Sequence, residues 1–458
     1  MSKYNKKKKY IAAFEGLVDI VSYKGEPAFL VKSGDKLSIE LKVKLDKKTH
    51  YPPPANKIPW LLPNGEKVIE HYEAMRKTSE CDRNKAIYEE LVQYHKAASE
   101  LPSEEHYDLL AIWVLHTYLH HSFEYSPILC LYAVPERGKS RTGKSLTYIA
   151  YRGVHVESLR ESYITRLADS FNASIFFDVM DIWKKVERNA SEDILLQRFE
   201  KGAKVAKVLE PEKGPINDLV YFSVYGPTII ATNVETHKIL DTRAITINMP
   251  ETSKSFDKDV KERDALPLRE KLVAFKAMNM DKVFEDIPKP TRGRLGDIMR
   301  PLHSIIRFVC PDREPGFLRL IDSIKDSRLI NKSETMEAQL LTIVKDLGYK
   351  VHKGKLPVRE ITEKLNEDKS ERAKIDSRTI GRKLDSLGFE KLKTGNGASA
   401  IRWDENKLNI MLERYGLNKT SETSEKVNQS WISDLSESDF EPKKEDINPK
   451  VDEEKPMF

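Results

Sequence analysis

Gly138-Lys139-Ser140-Arg141-Thr142-Gly143-Lys144-Ser145 decides how this chain is read. The octapeptide fits the template G-x-x-x-x-G-K-[ST]. It follows the apolar run Ile128-Leu129-Cys130-Leu131-Tyr132-Ala133-Val134, which supplies the strand that must precede such a loop. Its glycines let the backbone curl until successive N–H groups face phosphate oxygens, so Gly138, Arg141, Thr142 and Gly143 are expected to line the cradle. Lys144 adds a point charge for the β- and γ-phosphates, and the Ser145 hydroxyl is a ligand for Mg²⁺. The expected ligand is therefore ATP with Mg²⁺.

Working outward, Ala173-Ser174-Ile175-Phe176-Phe177-Asp178 reads as a buried strand that ends in a carboxylate. Asp178 lies where a second group for the Mg²⁺ shell is expected; a solvated strand-end Asp is the plainer reading. Thr228-Ile229-Ile230-Ala231-Thr232 is the next apolar strand, and Asn233 follows it. That amide either orients an attacking water or caps the next helix. Asp241-Thr242-Arg243 precedes the strand Ala244–Ile247. Arg243 either reaches a neighbouring subunit's γ-phosphate or pairs locally with Asp241. Arg292, Arg294 and Arg300 compete as a further phosphate-sensing arginine. Alternation of strands with helices at Lys144–Ala150, Glu161–Ser170 and 192–201 predicts a parallel α/β sheet with helices on both faces. Its ligand belongs at the C-terminal strand ends.

The flanks read differently. Apolar runs broken by Lys24-Gly25-Glu26-Pro27 and Ser33-Gly34-Asp35 predict a small β-meander over 10–45, with Pro52-Pro53-Pro54 as a stiff linker behind it. The lysines at 6–9 read as a solvated arm or as a contact to nucleic acid. Helical spacing covers about 66–79, 82–98 and 104–120, and residues 256–330 are mostly helical. A hairpin is expected across Val205–Ser223, flanked by Lys204, Lys207 and Lys213. Helices at Met336–Leu347, Val358–Leu365 and Ser377–Leu387, then two strands around Gly395-Asn396-Gly397, give the winged helix-turn-helix pattern. Arg378, Arg382 and Lys383 on its third helix, with Lys391, Lys393 and Arg402 in the wing, are candidate phosphate contacts.

These passages resemble the AAA+ ATPase core of helicases carried by bacterial plasmids, phages and chromosome-cassette islands, relatives of the superfamily 3 and minichromosome-maintenance-type helicases. The likeness rests on Gly138–Ser145, Ile175–Asp181, Pro227–Asn233, Leu240–Arg243 and Arg294–Leu302. It implies a P-loop core with Lys144 and Ser145 on ATP and Mg²⁺, Asp178 as the Walker B carboxylate, Asn233 as sensor and Arg243 as a trans-acting finger. It further implies a ring, a hexamer, with single-stranded DNA in its pore gripped by the 205–223 hairpin. One position departs from the family. Where Glu usually follows the Mg²⁺ carboxylate, the chain reads Asp178-Val179-Met180-Asp181, so Asp181 either takes over as base, or caps a helix, or hydrolysis is slow.

The division expected is a β-rich segment (1–55), a helical linker region (56–108), the AAA+ domain with helical lid (109–330), a winged helix (331–417) and an acidic tail (418–458) too polar to fold. The tail carries a net charge of −5 and the body +10, which suits a polyanionic partner. With 33% charged residues, no long apolar run and three scattered cysteines, the chain reads as cytoplasmic, without a membrane partner, disulfide framework or zinc site. The function this supports is an ATP-dependent DNA helicase or translocating motor in replication of a mobile element, in company with the element's other replication proteins. Its rivals are an ATP-switched initiator or helicase loader, and a winged-helix regulator whose ATPase core drives assembly.

Overall fold

Two-residue turns set the register of the first strands. In the computed structural model β1 is Lys9–Tyr10, β2 Leu17–Tyr23, β3 Glu26–Ser33, β4 Lys36–Glu40, β5 Val43–Leu45 and β6 Lys48–Tyr51. Lys24 and Gly25 both have positive φ between β2 and β3, as do Asp46 and Lys47 between β5 and β6. That is the backbone twist which two-residue hairpins need. The strands make two sheets, β2-β3-β4 and β1-β6-β5. The first buries Val18, Ile20, Val21, Ala28, Phe29 and Leu30. Pro52 and Pro53 are buried rather than spanning open solvent as a linker. The structure describes residues 8–134, 137–157, 160–178, 192–209, 211–234, 237–252, 254–367, 369–370 and 373–417.

Three helices come next: α1 Gly65–Arg76, capped by Asn64, α2 Glu80–Ala98, and α3 Glu104–Leu119. Residues 107–119 of α3 are buried without interruption, so this helix has no solvent face and runs through the interior. The core then alternates β7 Ile128–Tyr132, α4 Lys139–Ile149, β8 Val154–Val156, α5 Glu161–Phe171 and β9 Ile175–Asp178. After α6 Glu192–Gln197 come the hairpin β10 Lys204–Val208 with β11 Leu219–Ser223, then β12 Thr228–Thr232, α7 Lys238–Asp241 and β13 Ala244–Asn248. The sheet order is β13-β7-β12-β9-β8, and every pairing is parallel. Ile128–Leu131, Ile175–Phe177 and Thr228–Thr232 are buried, the pattern of strands covered on both faces. The chain is thus a mixed α/β protein built around a parallel five-stranded sheet. The order matters for function, because β12 lies between the P-loop strand β7 and the Asp178 strand β9.

The β2-β3-β4 sheet is welded to this core through buried charge. Arg152 and Asp19 are each 2% exposed, with Nε 2.7 Å from Oδ1. Arg152 also donates to the Ala12 and Phe171 carbonyls. Beside them the ammonium of Lys276, on α8 Glu262–Asn279, donates to the Val18 carbonyl at 2.7 Å. Burial drives its pKa down to about 7, helped by Arg152 and opposed by Asp19. Then follow α9 Gly293–Val309 and α10 Glu314–Ser333.

The chain divides into two compact units, residues 1–323 and 324–458, within α10. The second comprises α11 Met336–Asp346, β14 Lys355–Pro357, α12 Val358–Asn366, α13 Ser377–Ser386, β15 Lys391–Lys393, β16 Ser399–Arg402 and α14 Glu405–Arg414. Its antiparallel sheet is ordered β14-β16-β15. Leu340, Leu341, Val344, Leu356, Ile361, Ile380, Leu384 and Ile401 close its own core. Among the described residues no helix is long and apolar enough to cross a membrane. The acidic stretch 418–458 lies outside the described residues.

Candidate active site

The helix of the P-loop starts earlier than the glycine spacing predicts. Gly138 has φ +73° and serves as N-cap, and α4 begins at Lys139 rather than near Lys144. A Cβ on Gly138 would meet nothing within 4 Å, so this glycine is required by conformation alone. Gly143 is required by packing: a Cβ there would lie 2.1 Å from the Phe176 ring of β9. The close approach of α4 to the sheet therefore depends on a missing side chain. The first N–H groups of α4 have no partner within the helix, and they carry the positive end of its dipole.

Several groups fix α4 in place. Thr142 Oγ1 lies 2.8 Å from Ser99 Oγ, and Tyr94 donates to the Ser145 carbonyl. Arg141 donates to the carbonyls of Ala98 and Lys258, and its guanidinium lies 4.9 Å from the centre of the Phe256 ring. Its charge is engaged with protein in this structure. The Ser145 hydroxyl is fully buried and donates to the Thr142 carbonyl at 2.8 Å. Lys144 is half-buried.

Polar groups converge where the strands end. Asp178 closes β9 and Asn233 follows β12, the strand beside it. Burial lowers the pKa of Lys139, and the charge of Asp178 opposes the shift. His155, on β8, stacks on Phe176 at 4.9 Å. Its pKa is lowered first by burial; Asp178 pulls it up and Lys144 pushes it down. Lys139, Lys144, His155 and Asp178 therefore share one electrostatic neighbourhood. Asn233 Oδ1 and His155 Nε2 are buried with no hydrogen-bond partner among the described residues. The unpartnered His155 Nε2, sharing the charges of Lys144 and Asp178, suits a polyphosphate with a divalent cation. Asn233 does not cap α7; His237 does. Val179 and Asp181 lie outside the described residues. Among those described, no three His, Cys, Asp or Glu side chains gather as a metal site.

The opposite end of the sheet holds arginines. Arg243 precedes β13, and its carbonyl accepts from Ile128 N at the start of β7. Five residues of strand therefore separate it from the P-loop end, about 16 Å. Its Nη1 donates to the Ile239 carbonyl, its guanidinium lies 5.0 Å from the Phe199 ring centre, and its Nε is buried without a partner. Burial depresses its pKa, Arg294 adds to the shift, and Glu200 opposes it. Arg294 lies over the same Phe199 ring at 5.5 Å. Of its two rivals, Arg300 is paired with Asp286 at 2.6 Å, and Arg292 is the N-cap residue of α9.

Sequence reasoning gave no role to Lys139, His155 or Arg198. Lys139 was visible inside the P-loop octapeptide, and His155 as the one polar residue of a short strand. Nothing local announces Arg198. It is fully buried and donates to the carbonyls of Ala173, Val224 and Pro227 and to the Thr228 hydroxyl.

The remaining candidates lie on outlying elements. The β10–β11 hairpin is solvated on both strands, with Val208, Leu209, Ile216 and Tyr221 exposed. Lys207 pairs with Glu161 at 3.4 Å, and the side chain of Lys213 lies outside the described residues. In the second unit Asp376 caps α13. Lys383 pairs with Glu337, Lys391 with Asp385 and Arg402 with Glu390. Arg378, Arg382 and Lys393 are exposed and form no salt bridge among the described residues.

No protein-family model matches the sequence, and no curated protein matches it. Among solved structures the chain is similar to the apo C-terminal region of NrS-1, at 11% identity and TM-score 0.35, over 85% of this chain and 97% of that one. A second structure of that region, spanning 305–718, gives 11% identity and TM-score 0.33, over 84% and 96%. A ligand-bound JCV helicase gives 13% identity and TM-score 0.23, over 62% and 72%. At such scores the likeness fixes neither fold nor activity.

Proposed function

We propose that the chain is an ATP-dependent DNA helicase or DNA-translocating motor of the AAA+ kind, working as an oligomeric ring, a hexamer, in replication of a mobile genetic element. One observation carries the reading. Asp178, Asn233 and the start of α4 lie at one end of the parallel sheet and Arg243 lies at the other, so a protomer cannot bring Arg243 to its own P-loop. A second copy would supply it.

Each residue then has a task. Lys139, Lys144 and the free N–H groups of α4 would hold phosphate oxygens, with Ser145 and Asp178 on Mg²⁺. Asn233 would orient water, and Arg243 would place a fixed positive charge at the neighbouring subunit's γ-phosphate. Bound MgATP supplies the anhydride whose cleavage drives movement. In the second unit the order helix, strand, two helices, two strands supports a winged helix, with Arg378, Arg382 and Lys393 free to meet duplex phosphates. The solvated 204–223 hairpin, which carries Lys204, Lys207 and Lys213, supports a grip on single-stranded DNA.

Strand displacement and DNA-stimulated ATP hydrolysis by the full chain test this directly. Wild type should show both and Lys144→Ala neither; a wild type lacking both overturns it. Electron microscopy with ATP and DNA should show rings. Val179, standing where a base is usual, favours a second reading, an ATP-switched initiator or loader with slow hydrolysis. ATP binding with recruitment of another helicase, and no displacement, would select that reading.

A further inference from the structure

We propose that the β1-β6-β5 sheet is a second binding face for single-stranded nucleic acid, independent of ATP. Register puts the right groups together. Tyr10 pairs with Tyr51 across β1 and β6, and Lys44 pairs with Thr49 across β5 and β6. Strand alternation puts Lys8 with Tyr10 and Thr49 with Tyr51, so these five share one face. The Lys8 ammonium lies 5.0 Å from the centre of the Tyr51 ring, as that assignment requires. Lys9, Lys48 and His50 occupy the other face.

Charge and exposure fit the same ligand. Tyr10 is 51% exposed, and Lys8 and Lys44 are exposed. Lys8, Lys44 and Lys47 form no salt bridge among the described residues. Four other lysines of the unit are neutralised: Lys85 by Asp312, Lys96 by Glu104, Lys271 by Glu90 and Lys282 by Glu80. At the tip of the β5–β6 turn Lys47 takes φ +62°, where glycine would hold the turn with less strain. The tip thus carries a cation at a conformational disadvantage.

Tyrosine rings interleaved with unpaired lysines on a short sheet are what a flexible strand needs. Bases stack on the rings without regard to sequence, and phosphates meet the ammonium groups between them. A duplex keeps its bases stacked on one another and gains only the charge term.

The test is binding of a labelled oligo-dT to the full chain carrying Lys144→Ala, without nucleotide, against a duplex of equal length. That background removes any dependence on the motor reading, whose failure would appear in hydrolysis instead. Tyr10→Ala and Tyr51→Ala should each weaken oligo-dT binding about 5- to 100-fold, and Tyr10→Phe should restore it. Lys44→Ala should lower the salt slope by about 0.7, while Lys48→Ala on the opposite face changes affinity less than about twofold. Should Tyr51→Ala not fold, Lys44→Glu and Tyr10→Ala carry the test. Unchanged affinity in both tyrosine variants overturns the proposal. So does equal loss for duplex and single strand, or equal loss from Lys44→Ala and Lys48→Ala.

Discussion

Both ends of the five-stranded sheet gather cations, and they hold them in opposite ways. Where the strands finish, Lys139 and Lys144 share their surroundings with Asp178 and His155, and the Asn233 amide oxygen has no partner among the described residues. Where the strands begin, Arg198 has four hydrogen bonds to carbonyls and a hydroxyl and no exposure, and burial brings its pKa down to about 9. Arg243 stands between these cases, with one carbonyl, one aromatic ring and one idle N–H. An arginine whose donors are all taken is structural. One that is only partly buried and gives a single hydrogen bond keeps donors for a ligand, and the contrast separates two arginines within one end of the sheet.

The contrast breaks most visibly if Arg243 is removed. Arg243→Ala should lower ATP turnover about 10³-fold while the protomer still binds nucleotide, measured by steady-state hydrolysis and by equilibrium binding. Mixing it with Lys144→Ala subunits should recover part of the activity, since each variant keeps what the other lacks. No recovery in a demonstrated mixed assembly would return Arg243 to a local role. Arg198→Met should instead cost about 3 kcal/mol in urea unfolding, because it strands carbonyls in the interior.

At the other end, Gly143→Ala pushes a methyl into the Phe176 ring. We expect a loss of about 2 kcal/mol together with weakened nucleotide binding, and relief of the stability loss in the double variant with Phe176→Leu. The smallest effect concerns Lys276, a cation given neither ligand nor carboxylate fork. Its pKa falls to about 7 in the fold from an ordinary value near 10.5. Between these values the unfolded chain binds the extra proton, so stability rises with pH, by about 1 kcal/mol per pH unit from 7 to 9. Lys276→Met should flatten that rise in denaturant titrations, because Tyr151 still donates to the Val18 carbonyl.

What the sequence disclosed follows from how local each signal is. β9, β12 and β13 were legible because each is a short run of β-branched, aromatic or small residues without a charge before its end, and Asp178 closes the first while Asn233 follows the second. Strand order was not legible, since it depends on pairings such as Thr228 with Ile128 across a hundred residues. The start of α4 at Lys139 was missed because Lys, Ser, Arg and Thr tolerate a helix once Gly138 has turned the chain. Asp46-Lys47 lacks the glycine that advertises a hairpin, so β5 and β6 went unseen. Pro52 and Pro53 looked like a linker for want of any local sign of what covers them.

The buried pair of Asp19 and Arg152 sets an order in time. During synthesis the carboxylate emerges 133 residues before its guanidinium, a delay on the order of ten seconds at ordinary elongation rates. Until then the β2-β3-β4 meander has no core to close upon and must remain soluble by itself. A fragment trimmed to begin at the P-loop domain inherits the reverse difficulty, for it keeps Arg152 and loses both the Asp19 carboxylate and the Ala12 carbonyl. The stretch from Ala12 to Asp19 is thus made well before its partner and is among the last to find its place.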